Sequence, residues 1–146
     1  MIRYLLDTNI ISNVVKESPS PSLLAWMAER EDGELYISAF TLAELQRGIL
    51  EKATGRKREA LQKWFDGPEG PSALFAGRTL AFDDRAALVW ASLMAEGKRA
   101  GRPRNGFDMI IAAVATANAC TLVTDHERDF QGLDMINPVR GAPARD

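Results

Sequence analysis

Cysteine and histidine are almost missing from this chain: Cys120 and His126 are the only ones in 146 residues. One cysteine excludes an internal disulfide, and one histidine excludes a multi-histidine zinc centre. Cys120 sits in Ala117-Asn-Ala-Cys-Thr-Leu-Val, among small and apolar neighbours, which predicts a buried, inert thiol. Disulfide-free usage fits a reducing cytoplasm. No apolar run is long enough to cross a bilayer. The opening run, Ile2 to Leu6, meets Asp7 too soon to be a secretory signal, so no membrane association is expected. An excess of positive charge is also missing. Eighteen basic residues face twenty acidic ones, for a net charge of -2. That excludes a broadly basic binder of polyanions and leaves only local or metal-bridged contact.

What is present is the balance of an ordinary globular domain, 46% apolar and 26% charged. Short β-like runs alternate with amphipathic ones. Strands are predicted over 2–6, 35–38, 79–82, 121–124 and 134–136. Helical stripes are predicted through Leu23, Leu24 and Met27; through Leu42, Leu45, Ile49 and Leu50; through Ala87, Leu88, Ala91, Leu93 and Met94; and through Ile110, Ile111, Val114 and Ala117. The alternation predicts an α/β domain with a central, mainly parallel sheet of four to five strands and helices on both faces. One domain is expected over residues 1–140, with a flexible tail at 141–146. Trp26, Trp64 and Trp90 fall inside helical patterns and are expected in the core or an interface.

In a parallel α/β sheet, ligands gather beyond the carboxyl ends of the strands. Four acids fall there. Asp7 follows the first strand in Leu-Leu-Asp-Thr-Asn. Glu44 opens a helix after the second, in Thr41-Leu-Ala-Glu-Leu. Asp108 opens another in Phe107-Asp-Met-Ile-Ile-Ala-Ala, and Asp125 follows the fourth strand in Leu122-Val-Thr-Asp. Each has an ordinary explanation: Asp7 and Asp108 as helix N-caps, Glu44 as a partner of the helix dipole, Asp125 as a turn residue. Gathered together, their carboxylates repel and raise one another's pKa. A divalent cation removes that repulsion. All-oxygen ligands point to Mg²⁺, with Mn²⁺ as a substitute.

These four segments, with Leu122-Val-Thr-x-x-x-Arg-Asp-Phe, resemble in order and spacing the motifs of PIN domains, and within them the VapC and FitB-like toxins of bacterial toxin–antitoxin pairs. The resemblance covers the chain up to Asn137-Pro138. It implies a PIN fold and a Mg²⁺-dependent endoribonuclease acting on structured RNA such as tRNA or rRNA. It also implies a VapB-like antitoxin partner and a homodimer that builds heterotetramers or larger assemblies with it. Asp7, Asp108 and Glu44 are then the expected metal ligands, with Asp125 a fourth catalytic acid. Relatives often carry a polar residue second after the threonine; here that place holds His126, with Asp125 one position earlier, so Asp125 or His126 completes the site, or the fourth ligand is missing.

Thr8, Arg47, Arg102 and Arg104 are candidate substrate contacts. Arg102 and Arg104 belong to the densest basic stretch, which runs into Asp108. Replacing Asp7 or Asp108 by alanine is expected to stop cleavage without unfolding the chain. Two alternatives share the acid placement. A receiver-type phosphoacceptor domain needs an acid pair near the first strand and a lysine after a late one, and the chain has no lysine after Lys98. A non-catalytic PIN-like binding domain is expected to have lost two or more of the acids.

Overall fold

Five short strands, β1 (Arg3–Leu6), β2 (Leu35–Ser38), β3 (Thr79–Leu80), β4 (Cys120–Val123) and β5 (Met135–Ile136), run parallel in the order β3-β2-β1-β4-β5. The structure, a computed structural model, describes residues 2–140; the expected tail lies outside the described residues. The helices are α1 (Thr8–Val14), α2 (Pro21–Ala28), α3 (Ala39–Leu50), α4 (Arg56–Asp66), α5 (Pro71–Leu74), α6 (Asp84–Arg99) and α7 (Gly106–Ala117). None of the described helices is long and apolar enough to cross a membrane.

The strands bury both faces because alternate side chains point opposite ways. On β1, Leu5 joins one apolar cluster with Met109, Ala112 and Ala113 of α7, and with Ala86 of α6. Its neighbours Tyr4 and Leu6 join the other, with Ile10, Leu23, Leu45 and Phe75. Cys120 is buried in the first cluster, as its neighbours in sequence implied. The tryptophans also pack inward: Trp26 sits edge-on to Tyr4 at 5.0 Å, and Trp90 donates to the Gly106 carbonyl at 2.9 Å.

Polar side chains set most helix starts. Asp7 caps α1, Ser20 caps α2 just before Pro21, Ser38 caps α3, Asp83 caps α6 and Asn105 caps α7. The cap of α7 matters for function. Asn105 accepts from the backbone N–H of Phe107 at 2.9 Å and of Asp108 at 3.0 Å. Asp108 is therefore the third residue of its helix and not the cap.

The strand order creates one topological switch. From β1 the chain moves outward to β2 and β3, then returns to lay β4 along the opposite edge of β1. Connections leave the sheet in opposite directions there, opening a crevice at the carboxyl ends of β1 and β4. Asp7 stands at the end of β1, and Thr124 and Asp125 at the end of β4.

Candidate active site

One open cleft of about 350 Å³ occupies this crevice, and Asp7, Glu44, Asp108 and Asp125 all line it. Acids far apart in sequence thus share one space. Thr8, Asn9, Lys16 and His126 line it as well.

Asp7 is the most constrained member, 3% exposed. Its Oδ1 accepts from the Thr8 backbone N–H at 2.8 Å. Its Oδ2 accepts from Asn9 Nδ2 and from Thr124 Oγ1, both at 2.8 Å. Burial still pushes its carboxyl above the usual carboxylate range, against the lowering effect of those bonds and of His126. Glu44 is half-buried. Thr8 Oγ1 donates to its Oε1 at 2.6 Å. Burial and the charge of Asp7 raise its pKa, while Thr8 and Arg47 oppose the shift.

Asp108 differs from both. No side-chain or backbone donor meets its carboxylate among the described residues, because Asn105 has taken the capping role. Burial, followed by the charges of Asp7, Asp129 and Glu44, pushes its pKa up to about 6, with His126 acting the other way. A half-buried carboxylate with like charges around it and no protein donor needs a counter-charge from elsewhere.

Asp125 stands at the rim. It is exposed, its backbone N–H donates to Asn9 Oδ1 at 3.0 Å, and its own Oδ1 accepts from Asn137 Nδ2 at 3.4 Å. His126 faces the same cleft, and its charge acts on both Asp7 and Asp108. Of these two, His126 is the one coupled to the buried acids.

Thr8 orients Glu44 as described. Arg47 is not brought to the cleft: its Nε pairs with Glu51 at 3.3 Å along α3. Arg102 and Arg104 line a separate recess beside it. Sequence reasoning missed Lys16 and the part played by Thr124. Thr124 is fully buried, donates to Asp7 and accepts from the His126 backbone N–H at 3.0 Å. Its position after Leu122-Val123 was the available signal. Thr124→Val keeps the shape and removes the hydroxyl, so we expect cleavage to fall about 10- to 100-fold with the fold retained. Steady-state kinetics with circular dichroism checks this.

The donor set fits an oxygen-loving divalent cation. Among the described residues, no three acidic, histidine or cysteine side chains close on one point as a ready chelate. A site for Mg²⁺ has no such requirement, since that ion keeps several waters and takes one or two carboxylates.

The PIN-domain family matches residues 4–134, and the chain belongs to it. A VapC ribonuclease from Sinorhizobium fredii is 38% identical over 92% of this chain and 96% of its own length. The toxin FitB from Neisseria gonorrhoeae is 33% identical over the same shares. The crystal structure of FitAcB from Neisseria gonorrhoeae superposes with a TM-score of 0.85 and 31% identity, over 92% of this chain and 97% of that one. A member of the VapBC family of toxin–antitoxin systems from Mycobacterium tuberculosis gives a TM-score of 0.63 at 26% identity, over 94% and 98%. Membership in this family removes the receiver-type alternative.

Proposed function

We propose that the protein is a Mg²⁺-dependent endoribonuclease and the toxin of a toxin–antitoxin pair, cutting structured RNA such as tRNA or rRNA in the cytoplasm. The observation that carries this reading is Asp108: a half-buried carboxylate among like charges, left without a protein donor although an ordinary cap could have supplied one. The PIN domain is taken to span residues 1–140.

Asp7 and Asp108 would hold the ion, with Glu44 completing the shell. Bound Mg²⁺, which Mn²⁺ can replace, supplies charge neutralisation at the scissile phosphate and lowers the pKa of the attacking water. The chain's own part is positional. Thr8, Asn9 and Thr124 fix Asp7 and Glu44 in their rotamers. Lys16 adds positive charge at the mouth of the cleft, beside His126, where an RNA phosphate must enter. No protein nucleophile is needed, and a 5′-phosphate and a 3′-hydroxyl are the expected products.

The antitoxin reading has its own support. An apolar groove of about 780 Å³ between α1, α3 and α4 is lined by Val15, Leu45, Ile49, Leu61 and Trp64. It runs into the acid cleft through Thr8, Ser12, Lys16 and Glu44. A partner helix seated there can deliver an arginine to the carboxylates. Leu45 and Ile49 form the floor of the groove, 8% and 4% exposed. For self-association, Phe107 is 53% exposed beside Asp108 and lies 5.5 Å from Phe40, an apolar face suited to a homodimer. Larger assemblies with the antitoxin would build on it.

The test is incubation of partner-free protein with tRNA and rRNA in Mg²⁺ or EDTA, followed by end mapping. Fragments with 5′-phosphates, formed only with the metal, are expected. Fragments ending in 2′,3′-cyclic phosphate, or equal cutting in EDTA, would contradict the reading. Adding the co-purified partner should stop the cutting.

A further inference from the structure

A second recess, about 150 Å³ in volume, adjoins the acid cleft and carries the opposite charge. Arg102, Arg104 and Arg128 line it, with Asn105, Asp129 and Gln131 completing the wall. Asn105 also caps the helix that bears Asp108. Asp129 lies 3.8 Å from the Nδ1 of His126, which faces the cleft. Cleft and recess are therefore two sides of one wall, built from residues 105–108 and 126–129.

The recess is held in shape. The Arg102 backbone N–H donates to the Gly97 carbonyl at 2.8 Å. A Cβ on Gly97 would come within 2.9 Å of the Arg102 carbonyl and 3.0 Å of Arg104 Cγ, so only glycine lets this loop lie so close to α6. Arg104 donates to the carbonyl oxygens of Gln131 at 2.6 Å and Asp129 at 3.5 Å. Those contacts fix the guanidinium without neutralising it. Arg102 and Arg128 form no ion pair among the described residues. Asp129, the one carboxylate in the lining, offsets part of this charge, and three arginines against one acid leave the small space with an excess of positive charge.

Size and chemistry select the ligand. Small-molecule pockets run to about 300–1,000 Å³, so a nucleoside is too large for this recess. At about 150 Å³ it has room for a tetrahedral anion. Guanidinium forks match phosphate oxygens through paired hydrogen bonds. We propose that the recess is a subsite for a backbone phosphodiester of the RNA, a short distance along the strand from the bond that is cut. This rests on the ribonuclease reading of the neighbouring cleft. Such a contact sets the register of the strand over the acids and raises affinity without reading sequence.

The test compares the full chain, free of its partner, with the double variant Arg102→Gln/Arg128→Gln. Arg56→Gln, an exposed arginine outside the recess, is a single-charge control. In Mg²⁺, the double variant should raise KM for RNA about tenfold, with the effect on KM rather than kcat. It should also flatten the salt dependence of log KM by about 0.7 for the lost phosphate contact. Inorganic phosphate should shift the NMR signals of the Arg102 and Arg128 side-chain N–H groups in the wild type. A double variant indistinguishable from Arg56→Gln in KM and salt slope overturns the subsite while leaving the ribonuclease in place. Loss confined to antitoxin affinity overturns it in favour of a protein-docking recess. A wild type that cuts no RNA under any condition overturns the underlying reading, and the RNA ligand with it.

Discussion

Asp108→Asn should lower RNA cleavage by about 10²- to 10³-fold, the loss typical when one group stabilising transition-state charge is removed, and it should not lower thermal stability. The side chain makes no hydrogen bond that folding depends on, and asparagine keeps its volume. The same residue sets a pH dependence. In the folded, metal-free protein its pKa is pushed up to about 6 from an ordinary 3.8. The native state therefore holds this proton more tightly than the unfolded chain. Its contribution to stability is present at acid pH and declines as pH rises through about 4 to 6. Asp108→Asn should remove that decline, as thermal unfolding across the range would register. An ion must displace the same proton, so the Mg²⁺ needed for half-maximal cleavage should climb as pH drops below 6. A Mg²⁺ requirement flat from pH 5 to 7 would contradict the assignment.

Asp7→Ala should abolish cleavage and also destabilise the fold, by about 2 kcal/mol. Three donors now meet its carboxylate in a buried place: the Thr8 N–H, Asn9 Nδ2 and Thr124 Oγ1. Alanine leaves all three without their acceptor and removes the cap of α1. For a domain of this size the loss corresponds to a drop in Tm of about 4–8 °C. Asp108→Ala, measured beside it by thermal and urea unfolding, should show no such drop. Sequence alone suggested that either alanine would spare the fold, because relief of like-charge repulsion was the only term in view. The hydrogen bonds around Asp7 separate the two acids: one is both part of the framework and part of the site, the other belongs to the site alone. Equal stability for the two variants would contradict that separation.

Local chemistry made much of this legible. An acid directly after an apolar β run, as in Leu5-Leu6-Asp7, marks a strand's carboxyl end, and the periodic apolar stripes placed α2, α3, α6 and α7 within a few residues. The short strands β3 and β5 were also found, though only two residues of each pair in the sheet. Helix α4 left little trace in the apolar pattern. Arg56, Lys57, Glu59 and Lys63 are exposed, and none of its residues is buried.

Partnerships across long sequence separations were the hardest to read. Thr124 meets Asp7 across 117 positions, and its place after Leu122-Val123 marks a strand end without naming the acid it meets. The capping of α7 was a local contest between Asn105 and Asp108. Both are good caps, and sequence alone pointed only to Asp108. The structure gives the cap to Asn105, and that choice frees the carboxylate on which the functional reading depends. Arg47 lies one helical turn from Glu44 and acts on its charge, while its Nε pairs with Glu51 one turn further on, a partnership that helical spacing alone leaves undecided.

The most direct test of the metal centre is anomalous scattering from crystals of the wild type and of Asp108→Asn, both grown in millimolar Mn²⁺ without the partner. The account predicts a manganese peak in the cleft, within ligand distance of Asp7 or Asp108 in the wild type, and its loss or marked weakening in the variant. A wild-type cleft without manganese at saturating concentration, or an equal peak in both proteins held by other residues, would contradict it.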